Sequence, residues 1–533
     1  MNYVSKHRGD IIFMCIVFLL VFMRFIYYGF NYYPQLDDYI QYYSYRQFLG
    51  TIPEIIQKLG LLSARPLAGL MDITIWNYFF NTNMIWGVFI ISVMYTASAF
   101  LLKSAFSKIF TVGNIFIIVY TLLPLGFEGT YWVSASSRIV VGMFLASLGV
   151  YFFSCYCEKG KYINLILFIV FQLLSFGFYE QVIVFSITAT FLIMFVKFIS
   201  KGKRTLFAFM TFINVIIFAL FTSYFKSSSL YSSRMEIMLP QKEGYFDVFI
   251  PEVLSQFKEV FIYGNVYTIV KGFLRGVDII FDDKSFAYLI FISLLCLSLN
   301  IFEKKVKLKG SVIAFIFSIL LFIAPITPFL ILGNPWFSFR GAVVSFVGLG
   351  IFVDTIFNLC IRNTNIKGVI NCVIAFVFSI SGVSEIHDYR QNYIEDKKAA
   401  TAYINTTENF DSDLRIGVFN LNEVNIDNSN YTFHEHIAGV TGGEWSFLGC
   451  CRYYAKKFDI PQPVPLSLDT YIYRPYNSDI NAIESFDKLL FYDDGKMVEV
   501  NAEKIGDKEY VISGENINGI VYDENGYGIF RWE

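Results

Sequence analysis

Asp37 and Asp38 stand side by side within the stretch Asn31–Ile40, a few residues past the first long apolar run. Charge so close to a membrane is costly, and paired acids persist there where they hold a divalent cation, pair with a cationic partner or take a proton from a reacting group. Two adjacent carboxylates raise each other's proton affinity, which suits either a base working near neutral pH or a metal that cancels the repulsion. The plainer reading is a solvated acidic start to the next helix. Sequence leaves open which of the two would be the base, and whether a divalent cation such as Mg or Mn would sit on the pair.

Other polar residues stand at the same kind of place, in short connections between apolar runs. Arg65 precedes Pro66, Glu128 and Arg138 bracket Tyr131 and Trp132, Glu180 follows Tyr179 in a turn with hardly any loop to solvate it, and Arg340 ends a short aromatic connection. Guanidinium is always charged and offers two parallel N–H donors, so Arg65, Arg340 and Arg138 are candidate ligands for a lipid phosphate. The faces of Tyr39, Tyr179 and Trp132 suit sugar rings, and Glu128 and Glu180 could hold an arginine or an acceptor hydroxyl. Each has a plainer reading: Arg138 as a snorkelling anchor, Trp132 and Trp336 as interfacial belt residues. Asp282 and Asp283, with Lys284 beside them, are explained by solvation at a helix boundary. His434 and His436 would share one face of a strand, but with no third ligand at a suggestive spacing a structural reading is favoured. No phosphate-binding glycine loop and no serine nucleophile elbow are present, so nucleotide chemistry has no support.

These residues must be positioned by membrane-spanning helices. The 533 residues are 55% hydrophobic, 19% aromatic and only 16% charged, the composition of a polytopic membrane protein. A net charge of −2, with no concentrated basic patch, gives no reason to expect nucleic acid as a partner. Apolar runs at 11–28, 84–102, 112–127, 139–156, 162–178, 182–196, 206–224, 286–302, 312–332, 342–360 and 369–383 predict about eleven spans. The run at 369–383 and the pair flanking Glu180 are the short ones and could form one re-entrant feature. The first run has a basic start but no small-residue cleavage site after it, so it reads as a retained span. Lysines and arginines fall in alternate connections, at Lys6 and Arg8, Lys103 and Lys108, Lys159 and Lys161, 197–204, 304–309, and Arg362 and Lys367. That alternation places the N-terminus in the cytoplasm and everything after about Ser384 outside. Outer connections then include 29–83, with a half-buried helix at 66–80, and 225–285, whose amphipathic stretches predict interfacial helices. No internal repeat is visible, which gives no support to a transporter built from two similar halves.

Residues 1–384 therefore read as the transmembrane domain, and 385–533 as an extracytoplasmic α+β domain. The latter predicts a helix over 387–404 and strands over 415–420, 431–440, 488–493, 510–513 and 519–522. Of eight cysteines, six lie in or beside apolar runs as small hydrophobes, and only Cys450 and Cys451 fall in the soluble segment.

The residues 36–39 and 63–67, an acidic outer loop after the first span followed by Ser63, Ala64, Arg65, Pro66 and Leu67, resemble the GT-C class of membrane glycosyltransferases. Within it they look most like bacterial serotype-converting O-antigen glucosyltransferases. The resemblance covers mainly residues 1–200. It implies a GT-C-like fold in the bacterial cytoplasmic (inner) membrane and a first-loop catalytic acid at Asp37 or Asp38. It also implies a polyprenyl-phosphate sugar donor and a lipid-linked or cell-surface glycan as acceptor. A flippase for a polyprenyl-linked glycan and a polysaccharide polymerase are the alternatives.

Overall fold

In the computed structural model, residues 2–225, 237–303, 308–333, 336–421, 439–466, 480–506, 509–524 and 527–532 are described. They form two compact units. One comprises Met1–Tyr32, Ile55–Ile75 and Thr82–Ile386, the other Tyr33–Glu54, Trp76–Asn81 and His387–Glu533. The expected histidine pair, His434 and His436, and most of the strand expected at 431–440 lie outside the described residues.

The first unit is built of helices. Among them are α1 (Asn2–Phe25), α2 (Ile85–Phe106), α3 (Asn114–Leu122), α4 (Val133–Lys159), α5 (Tyr162–Phe176), α6 (Glu180–Phe198), α7 (Gly202–Tyr224), α8 (Phe286–Phe302), α9 (Ser311–Leu330), α10 (Phe339–Cys360) and α11 (Thr364–Thr406), whose residues from His387 on belong to the second unit. Seven of these, α2, α4, α6, α7, α9, α10 and α11, are long and apolar enough to cross a membrane. Exposed Phe195, Ile216, Leu220 and Val312 stud their surfaces. Isolated apolar residues on a surface are ordinary, but whole exposed helix faces are the mark of contact with lipid. The chain is a membrane protein with a C-terminal sheet domain.

Two expected spans differ from their prediction. The run at 112–127 is broken: α3 ends at Leu122, the backbone turns at Leu123, and two short helical pieces follow from Pro124 to Tyr131. Proline lacks the N–H that would continue the ladder, so its position ends the helix. The run at 369–383 is neither short nor re-entrant. It is the apolar portion of the 43-residue α11, which continues unbroken through the helix expected at 387–404. At 1.5 Å per residue this is about twice the hydrocarbon thickness, so only its apolar first part can lie in a bilayer.

Side chains satisfy what the break at Leu123 exposes. Arg24, fully buried in α1, donates from Nη1 to Leu122 O at 2.8 Å and from Nη2 to Thr121 O at 3.1 Å, filling the end of α3. Gly348 lets α10 approach α9 closely, since a Cβ there would stand 2.3 Å from Phe322 N and 2.5 Å from Ser318 O. Between α7 and α8 a nearly continuous helical run covers 245–282. Its Gly264 and Gly276 seat against Phe339 and Ile380, and Phe246, Val266, Val270 and Leu274 are exposed along it. This is the amphipathic character expected of that connection. Asp282 and Asp283 end the run exposed, Asp283 Oδ2 accepting from Tyr27 Oη at 3.2 Å. Asp282→Asn and Asp283→Asn are therefore expected to leave expression and activity within about twofold of wild type, because exposed polar substitutions rarely move stability by more than about 0.5 kcal/mol. Membrane expression and turnover measured side by side check this.

The second unit holds a seven-stranded sheet in the order β2-β1-β3-β4-β5-β6-β7, made of β1 (Arg415–Phe419), β2 (Gln462–Leu466), β3 (Lys488–Asp493), β4 (Lys496–Gly506), β5 (Glu509–Gly514), β6 (Ile517–Glu524) and β7 (Tyr527–Trp532). β1 pairs in parallel with β2 and β3, and the rest form an antiparallel meander. The tight β3–β4 turn uses left-handed Asp494 and Gly495, the residue types that tolerate that backbone. Phe419, Leu489, Phe491, Ile512 and Val521 fill the core. Strands β2, β4 and β7 were not expected from the sequence. β2 carries Pro463 and Pro465, which argue against a strand, yet it lies at the edge of the sheet, where a missing donor is tolerated.

Candidate functional site

The Asp37–Asp38 loop belongs to the second unit and is tied into it by its own backbone. Leu36 takes a left-handed conformation at φ 36°, turning the chain so that Asp38 Oδ2 accepts Gln35 N–H at 2.9 Å and Asp38 N–H reaches Gln35 O at 2.8 Å. Asp37 O then accepts from Ile40 and Gln41, starting the wide helical turn Tyr39–Ser44. Gln35 Nε2 donates to Tyr389 O at 3.2 Å on α11. The loop also packs on α12 (Glu444–Ala455), where Gly449 leaves room for Ile40: a Cβ there would stand 2.6 Å from its side chain.

The consequence is a division between the two acids. Asp38 is wholly buried and Asp37 only half-buried, so the pair presents one accessible carboxylate, with the other bonded inside its own turn. Tyr39, expected to face a sugar, is wholly buried instead, its ring 5.4 Å from Tyr453 and 6.2 Å from Phe80. It offers no face to a ligand. One Asp38 oxygen accepts from Gln35 N–H, and among the described residues no group of three His, Cys, Asp or Glu gathers as a metal-ligand set.

In the first unit Arg65 and Glu180, 115 positions apart, meet edge to edge. Arg65 Nε donates to Glu180 Oε1 at 3.0 Å and Nη2 to Oε2 at 2.9 Å, while the Tyr179 ring lies 4.5 Å from the guanidinium carbon. Burial works against the charge of Arg65, but Glu180 and Tyr179 outweigh it and hold the pKa above its ordinary value. Nη1 makes no hydrogen bond among the described residues, and the side chain keeps 25% exposure, so one edge of the guanidinium is fixed by Glu180 and the other stays open. That is an oriented donor for an anionic oxygen.

Arg138, Glu128 and Trp132 sit differently from their expected roles as ligand contacts. Arg138 Nη2 bonds Asp72 Oδ2 at 2.6 Å, in a pair whose side chains are only 11% and 3% exposed, and its Nη1 reaches back to Ser134 O. It is part of the interior. Glu128 is fully buried, its Oε1 accepting Arg340 N–H at 3.3 Å, and Trp132 lies buried with the Arg340 guanidinium 5.0 Å from its ring. Arg340 itself is only partly buried, held over Trp132 by a cation–π contact. Among the expected phosphate ligands, Arg65 and Arg340 thus remain accessible.

No protein-family model and no curated protein matches this sequence.

Sequence reasoning missed Asp72 as the partner of Arg138, since the two are 66 positions apart. It missed Arg24, and also Gln181, whose Nε2 donates to Pro325 O at 3.0 Å and Gly341 O at 2.8 Å and so fastens the start of α6 to two other segments. A polar residue inside an apolar run was the one available signal for Arg24.

A further buried acid lies in the second unit. Asp396 is on the charged part of α11, past its apolar portion, and both its oxygens accept Val440 N–H at 3.0 Å. Burial raises its pKa to about 8, against the pull of the N–H groups of Val440 and Thr441. A folded-state pKa above the unfolded value, about 3.9, means that stability is fully present below pH ~4 and is lost as pH rises through about 8. Asp396→Asn keeps an acceptor without the titration and is expected to abolish that loss. Alkylation of the buried thiols of Cys450 and Cys451 at pH 8.5, located by mass spectrometry, should be slower in the variant than in wild type.

Proposed function

We propose that this protein is a membrane glycosyltransferase of the GT-C type, moving a sugar from a polyprenyl-phosphate donor to a lipid-linked or cell-surface glycan on the outer face of a bacterial cytoplasmic membrane. The observation that carries the reading is Arg65, locked by Glu180 and Tyr179 with one guanidinium edge open, a prepared seat for the departing lipid phosphate. Arg340, stacked on Trp132, is the second candidate for that phosphate. Asp37, the accessible acid, is the base that removes the proton from the acceptor hydroxyl. Asp38 is its positioning residue, fixing the loop through Gln35. Displacement breaks the bond between the anomeric carbon and the phosphate oxygen and forms one to the acceptor oxygen. The acceptor proton goes to Asp37, and the leaving electron pair goes to the phosphate, with inversion at the anomeric carbon.

The reading includes about eleven spans, an inside N-terminus and an outside C-terminal unit, supported by the alternation of basic connections. Reporter enzymes fused to the C-terminus test this topology: an external signal is expected, and a cytoplasmic one would overturn the outward placement of every residue named. A flippase would move the lipid without needing a base, and a polymerase would join preassembled units without a monosaccharide donor. Purified protein given a panel of polyprenyl-phosphate sugars and extracted glycan separates the three, since only a transferase releases lipid phosphate as sugar appears on the acceptor.

A further inference from the structure

A cavity of about 400 Å³ opens between the start of α1, the end of α2 and the residues after α8, all within the first unit. Each of three elements brings a charge and a ring to its wall. Asp10 and Phe13 are about one turn apart on α1, Phe100 and Lys103 about one turn apart on α2, and Glu303 directly follows Phe302. Two carboxylates, an ammonium and three phenyl rings thus share the wall, with Phe13 5.6 Å from Phe100 and 5.5 Å from Phe302, and the Lys103 ammonium 5.9 Å from the Phe13 ring. Charged groups beside apolar rings, repeated on three elements, are the profile of an amphiphile.

Lys103 and Glu303 are held in place by a hydrogen-bonded chain. Asn114 Oδ1 accepts from Lys103 Nζ at 2.6 Å, and its Nδ2 donates to Glu303 Oε2 at 3.0 Å, so one amide fixes the spacing of the cation and the acid. Asn371 donates to the same Glu303 oxygen at 3.0 Å. Behind them buried Asp354 accepts Gly113 N–H at 2.8 Å and Asn358 Nδ2 at 3.0 Å, and Lys367 donates to Asn358. Bonded to one another, these groups fix the positions of Lys103 and Glu303.

We propose that this cavity binds a phospholipid whose headgroup carries both a phosphate and a primary ammonium. Lys103 takes the phosphate, Asp10 and Glu303 take the ammonium, and the phenyl rings line the path toward the acyl chains. A headgroup with only negative charge would meet two carboxylates and one cation. A water-soluble zwitterion would leave the phenyl wall without a partner. A primary ammonium gives N–H donors to the carboxylates and also favours aromatic faces. The proposal needs the membrane-spanning reading and is independent of sugar transfer.

The test uses the full chain, stripped of lipid in detergent and titrated by native mass spectrometry with phosphatidylethanolamine, phosphatidylglycerol or soluble phosphoethanolamine. Phosphatidylethanolamine is expected to be retained at least about tenfold better than phosphatidylglycerol, the effect of one charge-assisted hydrogen bond. Glu303→Gln should remove most of that preference. Ser104→Trp should block binding by filling the cavity mouth from an exposed position without touching the network, and it decides the matter alone where Glu303→Gln does not fold. Equal retention of the two lipids by wild type, or an unchanged preference in Ser104→Trp, would overturn the proposal. Soluble phosphoethanolamine competing as well as the lipid would overturn its assignment to a membrane lipid.

Discussion

Asp37→Asn is expected to insert and fold as wild type does and to lower turnover by about 10²–10⁴-fold, the usual contribution of a general base. The amide matches the carboxylate in shape, and Asp37 is tied into its loop by its backbone carbonyl, which the substitution leaves untouched. The capacity to take a proton is lost. Asp38→Asn should also slow turnover, by a different route. Its buried Oδ2 accepts Gln35 N–H at 2.9 Å, and an amide can present the wrong end there, loosening the loop that aims Asp37. The two are told apart by backbone hydrogen exchange: Asp38→Asn should speed exchange of the Gln35 amide, which donates to Asp38, and Asp37→Asn should leave it unchanged. Wild-type turnover in both variants at normal expression would show that the loop has no part in the chemistry.

The largest expected effect on stability belongs to Asp72. Asp72→Ala leaves the Arg138 guanidinium without the carboxylate it bonds at 2.6 Å, in a place where the two side chains are 3% and 11% exposed. Breaking one side of such a pair typically costs about 3–5 kcal/mol, because the surviving charge stays buried. Removing both should cost less than removing either: Asp72→Leu with Arg138→Met is expected to recover most of the loss. Unfolding in detergent, followed for the two single variants and the double one, measures this coupling directly. Additive losses would mean that the two residues act separately.

The helical character of the first unit was legible because long apolar runs declare themselves by length and composition alone, as in α2, α4 and α9. Strands β1, β3, β5 and β6 were legible from alternation and from turns such as Asp494–Gly495. What was hidden depends on distant partners. Pro463 and Pro465 hid β2, because sequence does not say that a strand lies at an edge. The break after Leu122 looked like a span, because the Arg24 guanidinium that satisfies its carbonyls comes from 97 and 98 positions away. The candidate site was legible as residue types. Arg65, Glu180 and Tyr179 were each singled out, and their meeting joins positions 115 apart. Asp37 and Asp38 were singled out as equals. Their different burial follows from the Gln35–Asp38 turn and from packing on α12, neither of which leaves a trace in two adjacent aspartates.

In the proposed function a sugar leaves a lipid phosphate and arrives on a glycan through a base on the first loop. The most direct measurement gives wild type and Asp37→Asn, at equal inserted amounts, a polyprenyl-phosphate sugar labelled with ¹³C at the anomeric carbon together with extracted surface glycan. Resonances of the anomeric carbon are then followed by NMR. Wild type should move the label from phosphate to a new glycosidic bond of inverted configuration, with free polyprenyl phosphate appearing in equal amount, and the variant should leave the donor signal almost unchanged. Label that stays on the phosphate in wild type across the whole donor panel, or moves at the same rate in both proteins, would contradict the account.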